Sequence, residues 1–500
     1  MAEKHTVSAV DYHWDHTHVR HRLPPHSLDF AHYPLPFKPY PGARASAQAS
    51  PDTGDVFPDP AGGGLSDLLY FACGVTHVRR AGGMPFFLRT VPSAGGLYPC
   101  HLYLGIAPGE DEPVKGTKTG PDTAETGVYY YNPVGGDLVQ LRAGKHVGSG
   151  HAKEISPETH RLFFMVTGGF YNSAWKYRGR AYRYLLLDAG HLVRNLELVL
   201  CERGLAHDVT YDFHDPGIAG LLGLDMDNEV PLACVAVSWD RSVSDITAYL
   251  SGATRPCAPG PKSRPAEIRY MANHTILPHI HALGIRGRQP GRPLETVITD
   301  AQPLDTADIS PADAAGHGLA KLLIRRRSRR NFVPDAVDSA SYRALFAWLR
   351  SGVQNDRDFN SRCLQVGMVC QNLQALTDGF YLFDNAFSRA HLMDQCRLAD
   401  VLASVCLDQA WIGRAAITFL FFADLDALET AYGPRGYRHM MITAGRLAQD
   451  IYLGAESLGF GCCGIGALYD REAVQCFDLA GNAALVYAVS AGPVKKRIGG

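Results

Sequence analysis

Compact apolar runs punctuate this chain at matched places in its two halves. Arg161 to Gly168 (RLFFMVTG) and Ala416 to Asp424 (AITFLFFAD) are of buried-strand type, as are Pro231 to Val237 and Ala484 to Val489. Cys100 to Ile106 alternates like a strand, and Gly127 to Pro133 (GVYYYNP) reads as strand then turn, an element repeated at Gly379 to Asp384 (GFYLFD). Leu65 to Cys73 has helical character. From Leu185 to Leu205 the positions Leu185, Leu186, Ala189, Leu192, Val193, Leu196, Val199 and Leu200 form a broad apolar face, which predicts a deeply buried helix.

That helix occurs twice. Tyr177 to Leu224 and Tyr432 to Leu479 align without a gap at a constant offset of 255 residues. Tyr177, Tyr182 and Arg183 match Tyr432, Tyr437 and Arg438, Ala189-Gly190 matches Ala444-Gly445, and the helices close at Gly204 and Gly459. The polar residues diverge, since Lys176 becomes Ala431. A chain duplicated in fold but not in chemistry suggests a fused dimer that keeps one of two equivalent sites.

Five hundred residues suit two domains of roughly 200 residues with an extension and a linker. The expected division is an arm over 1–60, a first domain over 61–250, a linker over 251–317 and a second domain over 318–500. With 46% apolar and 20% charged residues and a net charge of -2, the composition gives no general pull toward nucleic acid or an anionic membrane. Twelve cysteines without a CxxC pair argue against a disulfide framework or a zinc ribbon. The N-terminus has no apolar signal core, so the expectation is a cytoplasmic protein outside the membrane. His13, His16, His18 and His21 read as surface or packing residues, and no metal is expected.

Four motifs carry candidate chemistry. Lys176, at the mouth of an apolar helix, can have its pKa lowered by desolvation and accept a proton, with Tyr177 beside it. Arg89 to Pro99 contains Pro92-Ser93-Ala94-Gly95-Gly96, a tight polar turn whose backbone N–H groups could contact a planar ring. In Arg326-Arg327-Ser328-Arg329-Arg330, alternate side chains could grip a phosphate. Gly459 to Gly466, with Gly461 and Gly464, reads as a glycine-rich loop able to approach a cofactor closely, and Lys495-Lys496-Arg497 adds positive charge.

Together these motifs resemble the nitroreductase-like flavoproteins and, within them, the SagB-type azoline dehydrogenases of ribosomal peptide biosynthesis, in the long duplicated form of thiopeptide pathways. The resemblance rests on Arg89 to Pro99, Trp175 to Leu205, GVYYYNP and Arg326 to Phe332, with Tyr12-His13 like the family's opening. It implies an α+β fold with an antiparallel-rich mixed sheet, two tandem nitroreductase-like domains forming an intramolecular pseudo-dimer, and FMN. It also implies oxidation of thiazolines or oxazolines to thiazoles or oxazoles in an azoline-containing precursor peptide, with a cyclodehydratase as partner and further pairing into a homodimer left open.

On the family pattern, Lys176 or Tyr177 is the catalytic base. Pro92, Ser93, Ala94 and Gly95 from the first domain would contact the flavin, and Arg326, Arg327, Ser328, Arg330, Gly461, Gly464, Lys495 and Arg497 from the second would hold it. The complementary sets are missing, because no Pro-Ser turn lies between Leu349 and Cys370 and the first half offers only Arg44-Ala45-Ser46-Ala47-Gln48. One FMN per chain is therefore expected, bound between the halves. The alternatives are an NAD(P)H-dependent nitroreductase and a flavin-binding scaffold that has lost catalysis.

Overall fold

In the computed structural model, which describes residues 8–22, 27–40, 64–82, 84–107, 126–143, 162–238, 265–285, 303–305, 318–354, 364–384, 387–395, 398–479 and 481–495, the apolar runs become strands and the periodic segments helices. The chain divides into two units, one of Leu28–His281 and one of Met1–Ser27 with Ala282–Gly500.

The first unit opens with a hairpin of β1 (Val75–Ala81) and β2 (Met84–Arg89). Its main sheet comprises β3 (Cys100–Ile106), β4 (Gly127–Asn132), β5 (Asp137–Ala143), β6 (Leu162–Gly169), β7 (His207–Thr210) and β8 (Glu229–Val237), in the order β5-β4-β3-β6-β8-β7. The second unit holds β9 (Pro303–Asp305), β10 (Gln365–Cys370), β11 (Gly379–Phe383), β12 (Arg389–Asp394), β13 (Ile417–Asp424), β14 (Gly461–Ile465) and β15 (Ala483–Gly492), in the order β14-β15-β13-β10-β11-β12-β9. Apart from β9 the two orders are the same, so the duplication extends to topology.

Two expectations are corrected here. Among the described residues the sheets are not mixed, since every pair of named strands is antiparallel and the parallel contacts are isolated bridges, Ser328 to Cys462 and Val337 to Leu373. The glycine-rich loop is in fact strand β14, paired with β15 from Gly461↔Gly492 to Ile465↔Ala488. Its glycines are there for close approach, because a Cβ on Gly461 would overlap Val494 and one on Gly464 would overlap the Tyr487 hydroxyl.

Helices in the order of the chain are α1 (Ala9–Asp15), α2 (Leu65–Cys73), α3 (Phe170–Tyr177), α4 (Ala181–Glu202), α5 (Asp215–Leu222), α6 (Pro265–Ala272) and α7 (Ile276–Leu283). The second unit continues with α8 (Leu319–Arg325), α9 (Ser339–Gln354), α10 (Ala399–Val405), α11 (Leu425–Tyr432), α12 (Arg435–Ser457) and α13 (Asp470–Cys476). α4 and α12 are the repeated helices. Each ends on a glycine with positive φ, Gly204 at 65° and Gly459 at 71°. In both, the following residue's N–H reaches back to the carbonyl five earlier, Leu205 to Leu200 at 3.0 Å and Phe460 to Ala455 at 2.8 Å, the bonding of a Schellman cap.

In the first unit, alternate residues on one face of the sheet (Tyr103, Val128, Tyr130, Phe163, Met165, Cys234, Ala236) pack with Ile218, Leu221 and Leu222 of α5. On β6, Gly168 lies so close to Leu185 of α4 that a Cβ there would crowd its side chain. With both faces covered, β6 and β8 are buried along their whole length, which is why they read as continuous apolar runs.

The segment expected to be one arm is divided. Met1–Ser27 groups with the second unit, while Leu28 onward groups with the first. The expected linker contains α6 and α7, and residues through His281 group with the first unit. Both segments end in a similar socket. His13 of α1 is fully buried, its Nδ1 3.2 Å from Tyr437 Oη and its Nε2 3.6 Å from Asp470 Oδ1. His281 of α7 is buried with Nδ1 3.2 Å from Tyr182 Oη and Nε2 3.2 Å from Asp215 Oδ1. Tyr182 and Asp215 match Tyr437 and Asp470 in the repeat, so each unit presents an equivalent Tyr-Asp pair to a histidine from outside the repeat.

Candidate functional site

In the first unit, the Pro-Ser turn and the Lys-Tyr pair meet. α3 begins where β6 ends and stops at Arg178, whose φ of 49° breaks the helix, leaving Lys176 and Tyr177 in its last turn, half-buried. Gly95, with φ 66°, faces them. A Cβ placed there would lie 2.9 Å from Tyr177 Oη and 3.1 Å from Lys176 Nζ. Only glycine suits both the backbone and the space.

The turn is anchored from behind by a residue that the motif reading missed. Buried Asp188 of α4 accepts the Ser93 hydroxyl at 2.5 Å through Oδ2 and the Ala94 N–H at 3.1 Å through Oδ1. Ser93 Oγ in turn accepts the Tyr98 N–H at 2.8 Å. Burial pushes the Asp188 carboxyl up to about 7, against the opposing pull of the Ser93 and Ala94 hydrogen bonds and of Arg89. Tyr177 is backed by Tyr184, with ring centroids 4.1 Å apart, and the Lys176 ammonium lies 5.4 Å from the centre of the Tyr177 ring. Signals for Asp188 and Tyr184 existed in the repeat, where their matches are Thr443 and His439.

A strap of residues 29–38 fastens α3. Trp175 Nε1 donates to Asp29 O at 2.9 Å, Tyr171 Oη to His32 O at 2.7 Å and Asn172 Nδ2 to Leu35 O at 2.8 Å. Lys38 closes the strap on Glu229 at 2.7 Å and Tyr103 Oη at 2.8 Å. Burial pushes His101, two residues past Pro99, down to about 4, so it is neutral at ordinary pH.

The second unit gathers the phosphate-type motif. Arg326, just past α8, is buried with its guanidinium 5.5 Å from the centre of the Tyr452 ring. Tyr452 Oη lies 3.0 Å from Ser328 Oγ and accepts the Gly464 N–H at 2.7 Å. Arg329 N–H donates to Cys462 O at 2.9 Å, which fastens the motif to β14. Arg330 Nε donates to Cys463 Sγ at 3.3 Å, with its guanidinium 5.4 Å from the Trp411 ring centre. Arg327 behaves differently, because its guanidinium turns back to the carbonyls of Ile324 and Arg326 at the end of α8. Lys495 N–H donates to Asn331 O at 3.1 Å, bringing the C-terminal segment beside the motif.

Arg326, Ser328, Arg330, Gly461, Gly464 and the Lys495 backbone therefore share one locality of the second unit, and Ser93, Ala94, Gly95, Lys176 and Tyr177 share one of the first. Arg497 and the Arg44–Gln48 segment lie outside the described residues. Tyr452, the hub of the second group, was missed, although its match in the repeat is Glu197. The donor set of two guanidinium groups and the Ser328 hydroxyl fits a phosphate. At Gly96, also at φ 66°, no described atom lies within 4 Å of where a Cβ would be.

No helix among the described residues is long and apolar enough to cross a membrane. The nitroreductase family model matches residues 65–239 and 323–492. MJ1384 from Methanocaldococcus jannaschii, named as a nitroreductase, is 29% identical over 178 residues, which are 34% of this chain and 88% of MJ1384. The microcin B17-processing protein McbC of Escherichia coli is 26% identical over 150 residues, covering 29% of this chain and about half of McbC (52%). Among solved structures, a protein from Anabaena variabilis described as a nitroreductase superimposes with a TM-score of 0.75 at 22% identity, covering 98% of this chain and 100% of that one. That likeness extends the fold over both halves.

Proposed function

The chain belongs to the nitroreductase family, and we propose that within it this protein is an FMN-dependent dehydrogenase that oxidises thiazoline or oxazoline rings to thiazoles or oxazoles in a ribosomally made peptide of the thiopeptide kind. The observation that carries the reading is the convergence of Lys176 Nζ and Tyr177 Oη on Gly95 of the Pro-Ser turn. A reductase that only passes electrons between a nicotinamide and a small acceptor does not need such a pair. The similarity to a microcin B17-processing protein supports a peptide substrate, and a cyclodehydratase would make the azolines upstream.

FMN, when bound, would supply the two-electron acceptor for the hydride that leaves the ring methylene. Arg326, Ser328 and Arg330, with Gly461, Gly464, Lys495 and Arg497, would hold its phosphate, and the turn from Pro92 to Gly95 would contact its ring. The protein's own chemistry is the proton. An azoline carries an acidic Cα–H beside its C=N bond, and Lys176 Nζ or Tyr177 Oη would accept that proton as the ring aromatises. Tyr184, against the Tyr177 ring, and Asp29, bonded to Trp175, keep the pair in place.

The test is to incubate the purified protein with a cyclodehydrated peptide and follow the loss of two hydrogens per ring by mass spectrometry. Lys176→Ala is expected to lower turnover by about 100-fold or more while leaving flavin content unchanged. Rapid reduction of the bound flavin by NADPH with no ring oxidation would overturn the reading in favour of a nitroreductase.

A further inference from the structure

The proposed chemistry assigns no task to Asp188, although this carboxylate holds the start of the turn that faces the Lys-Tyr pair. Its Oδ2 accepts from Ser93 Oγ and its Oδ1 from Ala94 N, and Ser93 Oγ takes the Tyr98 N–H from the far side of the loop. The residue after Ala94 is Gly95, the point on which Lys176 Nζ and Tyr177 Oη converge. Tyr184 lies four residues before Asp188 on α4, hence on the same helical face, and its ring backs Tyr177. One face of α4 therefore sets both partners, the turn through Asp188 and the tyrosine through Tyr184. The other copy corroborates this. There, where the sequence has no Pro-Ser turn between Leu349 and Cys370, the matching helix carries buried Thr443 and half-buried His439 instead.

We propose that Asp188 is a positioning residue of the site: acting through Ser93 and Ala94, it fixes the Pro-Ser turn at the spacing that brings Gly95 against Lys176 and Tyr177. It does not itself meet the substrate. The inference rests on the dehydrogenase reading for its catalytic consequence, but the geometry can be probed without substrate.

The experiment uses the full-length, flavin-loaded protein and compares wild type with Asp188→Asn, Asp188→Thr, Ser93→Ala and the Asp188→Asn/Ser93→Ala double variant. Asn keeps the shape of Asp but replaces one acceptor oxygen with a donor, which cannot face the Ala94 N–H and competes with the Ser93 hydroxyl. Lys176 is labelled with an amine-reactive reagent and its rate of modification is read by peptide mass spectrometry. Release of the turn should raise that rate severalfold in Asp188→Asn and Asp188→Thr. It should also lower kcat by about 10-fold or more with little change in KM, as misplacement of reacting groups does. If Asp188 acts through Ser93, the double variant should lose no more than the worse single variant.

An unchanged labelling rate in Asp188→Asn would overturn the proposal, and so would losses that multiply in the double variant. Failure of the dehydrogenase reading looks different: wild type would not oxidise the peptide, while the labelling rate would still respond to Asp188.

Discussion

Single residues divide this chain more sharply than its elements do. Asp188 shows why: it was nearly invisible in the sequence because one acidic residue in an apolar helix breaks no pattern, and its significance depends on Ser93, nearly a hundred positions away. Its carboxyl makes a prediction about pH. Folded, its pKa stands near 7 instead of 3.8, because burial disfavours the charge. Between those values the native state binds a proton that the unfolded chain does not. The carboxyl's contribution to stability is therefore complete below about 4 and is lost as pH rises to about 7. Arg89 and Cys100, which face it from β2 and β3, remain in both proteins compared. Asp188→Asn lacks this loss, so its melting temperature relative to wild type should rise between pH 5 and pH 8, as thermal unfolding at the two values would read. A difference that falls over that range would mean the native carboxyl is the better-accommodated ion.

At the scale of elements, the boundaries were legible wherever an apolar run met a chain-breaking residue. Leu65–Cys73 and Cys100–Ile106 agree with their helix and strand to the residue, and α4 and α12 end at glycines that only a left-handed cap requires. β14 was misread because glycine disfavours strands in general, whereas here it serves a strand that threads between Val494, Arg329 and Tyr487. The histidine sockets were hidden for another reason. The partners of His13 lie more than 400 residues along the chain, and Tyr437 stood out only as the repeat match of Tyr182. Replacing His13 or His281 by alanine would take one partner from a buried tyrosine and a buried aspartate, at a cost of about 1–3 kcal/mol. Denaturant unfolding followed separately in each unit should show His281→Ala weakening residues 28–281 and His13→Ala the remainder. If neither unit loses stability, the sockets are incidental packing.

For the molecule as a whole, the repeat preserves topology and redistributes chemistry. Lys176, Tyr184 and Asp188 of the first unit are matched in the repeat by Ala431, His439 and Thr443, with no Pro-Ser sequence between Leu349 and Cys370; Tyr452 of the second is matched by Glu197. The strand orders agree, so drift in the fold does not account for the asymmetry. On the function proposed above, the Pro-Ser turn serves the flavin ring and the arginine motif its phosphate. A chain assembled in this way should carry one FMN per polypeptide, measured by absorbance after denaturation against protein by amino-acid analysis. Arg326→Ala or Arg330→Ala should lower that ratio toward zero, because removing a charge-assisted phosphate contact costs about 1.5–3 kcal/mol per hydrogen bond. Lys176→Ala should leave it near one. Two flavins per chain would mean that each unit completes a site with residues not yet recognised, and the division of labour read from the repeat would fall.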